Sequence, residues 1–159
     1  MDALDGLMIA AVFGSGIVAG IFFTFSNFVM PALARLPKAH GTAAMQAINI
    51  TVINPLAMIA MFGTGVVFII AMLLGVRTGQ GVVFWLYLVG AALYVVGCVG
   101  VTIAGNVPLN ETLAKVDPET SEAADLWDHY LARWTLFNTL RTTASALACV
   151  AYALVLALG

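Results

Sequence analysis

Four long stretches of this chain carry no formal charge: residues 6 to 34, 39 to 76, 78 to 110 and 142 to 159. About 20 apolar residues in a helix cross the hydrocarbon of a bilayer, so each stretch is at or near the length of one span. Backbone amides in lipid must bond within their own segment, and runs this continuous read as helices rather than barrel strands. The pattern predicts an all-α fold, a four-transmembrane-helix antiparallel bundle. The spans fall at about 5 to 29, 55 to 75, 82 to 104 and 136 to 158, in a single integral membrane domain covering residues 1 to 159.

Composition agrees. Of 159 residues, 62% are hydrophobic and only six basic and eight acidic residues carry charge, where soluble domains are about a quarter charged. A soluble monomer of this length has no core large enough to hide that much apolar surface. The lipid bilayer is the natural counterpart. A net charge of -2 without a basic tract excludes nucleic acid as a partner. Cys98 and Cys149 lie inside apolar runs and are read as inert packing residues, not a disulfide framework or a metal centre. Two histidines, His40 and His129, make a metal or haem site hard to build, so no metal and no cofactor is expected. The start, MDALDG, lacks the positive charge of a secretory signal, and its first apolar run is expected to be retained.

Asn54-Pro55 pairs a capping side chain with a proline at the first helical position, starting the second span, and AMQAIN before it reads as a short interfacial helix or an extension. Asp117-Pro118 repeats the device. A polar helical segment is expected to begin there and run without interruption into the fourth span. Small residues at Gly16 and Gly20, Gly63 and Gly65, Gly97 and Gly100, and Ala144 and Ala148 suit close helix contacts, within one copy or between copies of a homo-oligomer. Arg35, Lys38, Lys115, Arg133 and Arg141 fall on one side of the membrane and Arg77 on the other. That bias places the long loops in the cytoplasm and both termini outside, in an inner (plasma) membrane.

Laid alternately up and down, the spans bring their polar residues to one end. Ser26 and Asn27 close the first, Gln46, Asn49 and Asn54 approach the second, Asn106 and Asn110 close the third, and Asn138 and Arg141 open the fourth. The opposite end offers Arg77, Gln80 and an aromatic belt of Trp85 and Tyr87. Trp127, Tyr130, Trp134, Asn138, Arg141 and Ser145 recur at spacings of three and four, which puts all six on one helix face. Glu122, Asp125, His129 and Arg133 form a second, water-facing stripe. Arg141 lies about a turn and a half inside its span, where an arginine needs carbonyls, amides, water or an anionic ligand around its fork.

Bland readings stand beside this one. Arg141 can snorkel to headgroups, the tryptophans can be interfacial, the asparagines can only cap helices, and His129 can be a solvated residue on a helix face. The gathering of all of them at one end favours a site: a pocket of amides and guanidinium walled by indole rings.

The segments GIFFTFSNFVMPALARLP, AMQAIN with INP, NVPLN and WDHYLARWTLFNTLRTTASALA together resemble the anthrone-oxygenase-like family of small four-helix membrane proteins. The resemblance covers nearly the whole chain. It implies importance for Ser26, Asn27, Met30, Pro31, Gln46, Asn49, Asn54, Pro55, Asn106, Pro108, Asn110, Trp127, Trp134, Asn138 and Arg141. Many relatives carry a histidine after the asparagine of the fourth span; this chain has Thr139. Some fungal members are assigned to oxidising anthrones to anthraquinones, and most bacterial members lack a known function.

The reaction this implies is cofactor-independent oxygenation of a flat phenolic substrate that partitions into the membrane. An anthrone that loses a proton becomes an electron-rich anion able to reduce oxygen itself. Expected catalytic residues are Arg141, Asn138, His129 and Tyr130, with Asp128 a further candidate base. Asn27, Gln46, Asn49, Asn54, Asn106, Asn110, Trp127 and Trp134 are expected to bind a small apolar or aromatic ligand. The alternative is a non-catalytic membrane protein that binds a quinone, lipid or other amphiphile, or serves as a partner subunit. A transporter is less attractive because the apolar half of the bundle lacks ionisable residues.

Overall fold

A computed structural model describes residues 2–158, and within them the chain is an all-α bundle. Five helices follow one another: α1 (Ala3–Leu33), α2 (Lys38–Thr51), α3 (Pro55–Gly75), α4 (Val82–Leu113) and α5 (Ser121–Leu158). All but α2 are long and apolar enough to cross a membrane, and the protein is an integral membrane protein.

The helices differ in reach. At 1.5 Å per residue α3 extends about 31 Å, the thickness of the hydrocarbon, whereas α1 and α4 reach nearly 50 Å and α5 about 57 Å. The excess stands at one end, where the amphipathic α2 lies against α5 and the last turns of α1 and α4. Two apolar cores result. The larger fills the membrane-spanning part around Phe68, Tyr94, Tyr152 and Val155. The smaller, at the extended end, gathers Met30, Met45, Leu113, Trp127, Tyr130 and Trp134.

Helix starts follow local chemistry. Asp2 and Asp5 form a reciprocal capping box on α1, and the Asn54 side chain accepts the Ala57 N–H at 3.1 Å to start α3. Asp117-Pro118 does not start α5. Asp117 turns on itself, accepting the Glu119 N–H and, through its carbonyl, the Thr120 hydroxyl. Thr120 then takes the Ala123 N–H and caps the helix. From Ser121 the helix is unbroken to Leu158.

Two expectations change. The helices that carry the first and third spans do not close near 29 and 104 but continue through Pro31 and Pro108. Wide π-helical turns at Phe25–Val29 and Thr102–Asn106 precede those prolines, absorbing the ring and the missing N–H that would break a regular helix. Nor is Tyr87 a belt residue. Trp85 is 63% exposed, but Tyr87 is 3% exposed and points inward, its hydroxyl 3.1 Å from Met8 Sδ.

Close approach decides how α4 meets α5. A Cβ at Gly97 would fall 2.7 Å from the Ala144 methyl, and one at Gly105 2.9 Å from the Phe137 ring. The absence of side chains at both positions lets Thr102, between them, come within reach of Arg141. Gly20, by contrast, has open space beside it.

Candidate functional site

All six residues of the predicted α5 stripe are buried. Trp127 and Tyr130 stack with ring centroids 5.7 Å apart, and Tyr130 and Trp134 with centroids 6.3 Å apart. Below this stack come the amide and the guanidinium: Asn138 is 0% and Arg141 5% exposed.

The polar groups form two tiers. In the upper tier Asn110 Oδ1 accepts both the Tyr130 hydroxyl at 2.8 Å and Trp134 Nε1 at 2.9 Å. Asn49 Nδ2 donates to the Tyr130 oxygen at 3.3 Å. Gln46 Nε2 donates to the carbonyls of Leu113 and Val116 at 2.8 and 3.0 Å, satisfying the open end of α4. This tier ties α2, α4 and α5 together.

The lower tier has a direction. Arg141 Nη2 donates to Asn138 Oδ1 at 2.7 Å, and Arg141 Nη1 to Thr102 Oγ1 at 3.2 Å. Asn138 Nδ2 donates to Ser26 Oγ at 2.7 Å and to the Phe22 carbonyl at 2.6 Å. Ser26 Oγ stands 3.0 Å from Thr139 Oγ1, and Thr139 donates to the Thr135 carbonyl. The Ser26 hydrogen therefore points toward Thr139. The guanidinium lies over the Phe22 ring at 4.1 Å and near the Trp134 ring at 5.4 Å, a cation–π arrangement that offsets part of its desolvation. Among the described residues the salt bridge is Lys38–Asp128, at the surface. Among the described residues Arg141 has no anionic partner, and its Nε is unpartnered, as are Asn106 Oδ1, Ser145 Oγ and Trp127 Nε1.

Other candidates lie apart. Asn27 and His129 are exposed, as is Asn54, which serves as the α3 cap. Asn106 is buried and donates to the Trp134 carbonyl at 3.2 Å. Thr102 was missed from sequence, although its spacing of four to Asn106 and again to Asn110 places the three on one face. Among the described residues no three His, Cys, Asp or Glu side chains stand together as a metal cluster.

The indoles, Asn138 and the guanidinium are buried against one another. Open space lies on the outer side of the same helix, in a groove of about 600 Å³ between α1 and α5. Met30, Pro31 and Ala34 form one wall, Leu131, Thr135 and Leu136 the other, with Asp128 and Thr139 at its two ends. A smaller crevice of about 300 Å³ at the opposite end of the bundle includes Asp5, Gln80 and Tyr87.

In comparisons with known proteins, the family model described as anthrone oxygenase matches residues 44–151 of the 159-residue chain. That stretch holds most of α2, all of α3 and α4, and α5 through Ala151, but not α1, which supplies Ser26 and Phe22. No curated protein and no solved structure matches.

Proposed function

The chain belongs to the anthrone oxygenase family, and from that premise we propose that it oxygenates an anthrone-like phenolic ketone taken from the membrane into the groove between α1 and α5. The observation that carries this reading is the polarised donor chain Arg141, Asn138, Ser26, Thr139. Its last member, Thr139, lines the groove, and Ser26 stands 3.0 Å behind it. A guanidinium behind an amide strengthens that amide as a donor to the serine oxygen, and the serine in turn as a donor outward. A substrate oxygen that displaces the Ser26–Thr139 contact meets a preorganised O–H donor backed by a buried positive charge, and such donors act most strongly where charge develops in a water-poor site.

The chemistry balances. The methylene carbon of the anthrone loses a proton to interfacial water, and the negative charge spreads to the ketone oxygen, where Ser26 holds it. The anion passes an electron to molecular oxygen, recombination of the radical with superoxide forms a carbon–oxygen bond, and the peroxide takes a proton back from water to become a hydroperoxide. Loss of water from the hydroperoxide leaves the quinone. Anthrone and one O₂ become anthraquinone and one H₂O, so one oxygen atom enters the product and the other leaves as water. The protein's part is to favour the anion. Arg141 and Asn138 are positioning residues that act through Ser26. Tyr130, which donates to Asn110, and the exposed His129 take no part in this account, nor does an added metal or cofactor.

A second reading draws on the filled interior around Arg141: the groove holds a quinone, lipid or other amphiphile without turnover. Oxygen uptake and quinone absorbance, followed after adding an anthrone to the purified protein in vesicles, separate the two. Uptake above the protein-free rate, diminished in Ser26→Ala, supports oxygenation. Ligand binding with only the uncatalysed rate overturns it. In the same reading the long loops face the cytoplasm across an inner membrane, following the excess of basic residues at the extended end, and the bilayer delivers the ligand. Pairing of copies through Gly16 and Gly20 belongs with it as the homo-oligomeric form.

A further inference from the structure

The groove has two polar ends a fixed distance apart. Asp128 and Thr139 are eleven residues apart on the uninterrupted α5, three turns of helix, so they share one face with Leu131, Thr135 and Leu136 between them. Their separation is about 16 Å. The Asp128 carboxylate is held in place: Lys38 Nζ donates to its Oδ2 at 2.7 Å and to the Ala124 carbonyl at 3.3 Å. Its other oxygen accepts no protein donor among the described hydrogen bonds, and its side chain is 67% exposed. One end of the groove thus offers a donor for a ketone oxygen and the other a fixed anionic acceptor, with an apolar floor between. The two side chains and a hydrogen bond of about 2.8 Å at each end take up part of that rise, and an elongated occupant bridges the rest.

Resting on the oxygenase reading above, we propose that Asp128 is a specificity-determining residue that selects elongated phenolic ketones carrying a hydroxyl at the end remote from the reacting ketone. The remote hydroxyl donates to the free oxygen of Asp128 while the ketone oxygen meets Ser26 and Thr139. In a three-ring anthrone the ketone and an end-ring hydroxyl fall short of this span. A fourth linear ring, or a hydroxylated arm on the third, lengthens the reach toward Asp128. Lys38 aims the carboxylate, and a carboxylate accepts a hydroxyl more strongly than a neutral oxygen does.

The test compares a linear four-ring ketone bearing an end-ring hydroxyl with its analogue lacking that hydroxyl. Binding to the full-length protein in vesicles is read by quenching of tryptophan fluorescence, and turnover by oxygen uptake. Wild-type protein is expected to bind the hydroxylated compound at least about tenfold more tightly, the value of one hydrogen bond to a charged group. Asp128→Ala is expected to lose that preference while binding the deoxy analogue unchanged. Alanine, the strongest helix former, preserves α5, which circular dichroism checks. Equal binding of the two compounds by wild type, or a preference that survives Asp128→Ala, overturns the inference. Because binding is read separately, discrimination without oxygen uptake overturns the oxygenase reading while supporting the selectivity of the groove.

Discussion

Arg141 Nη2 donates to Asn138 Oδ1 across 2.7 Å, one turn along the same helix, and this bond decides which way the Asn138 amide faces. With its oxygen turned to the guanidinium, its nitrogen must face α1, where it donates to Ser26 and to the Phe22 carbonyl. Reversing the amide would set two donors against each other on one side and two acceptors on the other. The orientation carries the influence of a buried charge across to a hydroxyl at the groove.

Asn138→Asp tests that direction. The carboxylate pairs with Arg141 but has no hydrogens for Ser26 or Phe22, so it cancels the charge and removes both donors. The expected outcome is a loss of turnover on the order of a hundredfold, the usual cost of one donor to a developing anion. Oxygen uptake at saturating anthrone measures it. Turnover within a factor of two of wild type would count against the donor chain.

Arg141 separates stability from function. Arg141→Lys keeps the charge but loses the planar fork that reaches Asn138 and Thr102 together, and is expected to lose most of the activity. Arg141→Met removes a buried charge that has no anionic partner among the described residues. Replacing such a group with an apolar side chain of similar volume is often neutral or stabilising. Its melting temperature in detergent is expected to equal or exceed that of wild type while turnover falls to the protein-free rate. A large drop in melting temperature would show that the guanidinium is needed for packing.

The α4–α5 contact at Gly97 has a reciprocal partner. Gly97→Ala brings a methyl against Ala144 and is expected to cost about 1–3 kcal/mol of stability, as overpacking does, while moving Thr102 away from Arg141. Adding Ala144→Gly restores the space, and the double variant is expected to recover much of the loss. Thermal unfolding of both singles and the double closes the cycle.

The upper tier serves as scaffold, and Tyr130→Phe distinguishes it from the donor chain below. The change removes the hydroxyl that joins Asn49 to Asn110. It is expected to destabilise by about 1–2 kcal/mol, the cost of lost hydrogen bonds at a partly buried site, with turnover nearly unchanged. A large loss of activity without destabilisation would place Tyr130 in the reaction.

Much of the lower tier was legible beforehand because one helix carries it. The spacings of Trp127, Tyr130, Trp134, Asn138, Arg141 and Ser145 put them on one face whatever that face meets, and all six are buried. His129 is exposed, as its place on the water-facing stripe implies, whereas Asn27 was misplaced, because residues near a helix end are assigned to the right level of the bundle without being assigned the right direction around their helix. Their rotation is set by neighbours that sequence spacing does not reveal. The π-helical turns before Pro31 and Pro108 shift that rotation further.

Charge-free length and helical period are local properties read along one segment, and they suffice for a helical membrane bundle, its polar end and the inward face of α5. Packing between helices set the rest: the indoles, amides and guanidinium are buried against one another, Ser26 from α1 accepts from Asn138, and the open groove lies on the outer side of the same helix. Those outcomes depend on how closely backbones approach at Gly97 and Gly105 and on which way each helix is turned, quantities set jointly by residues distant in the chain.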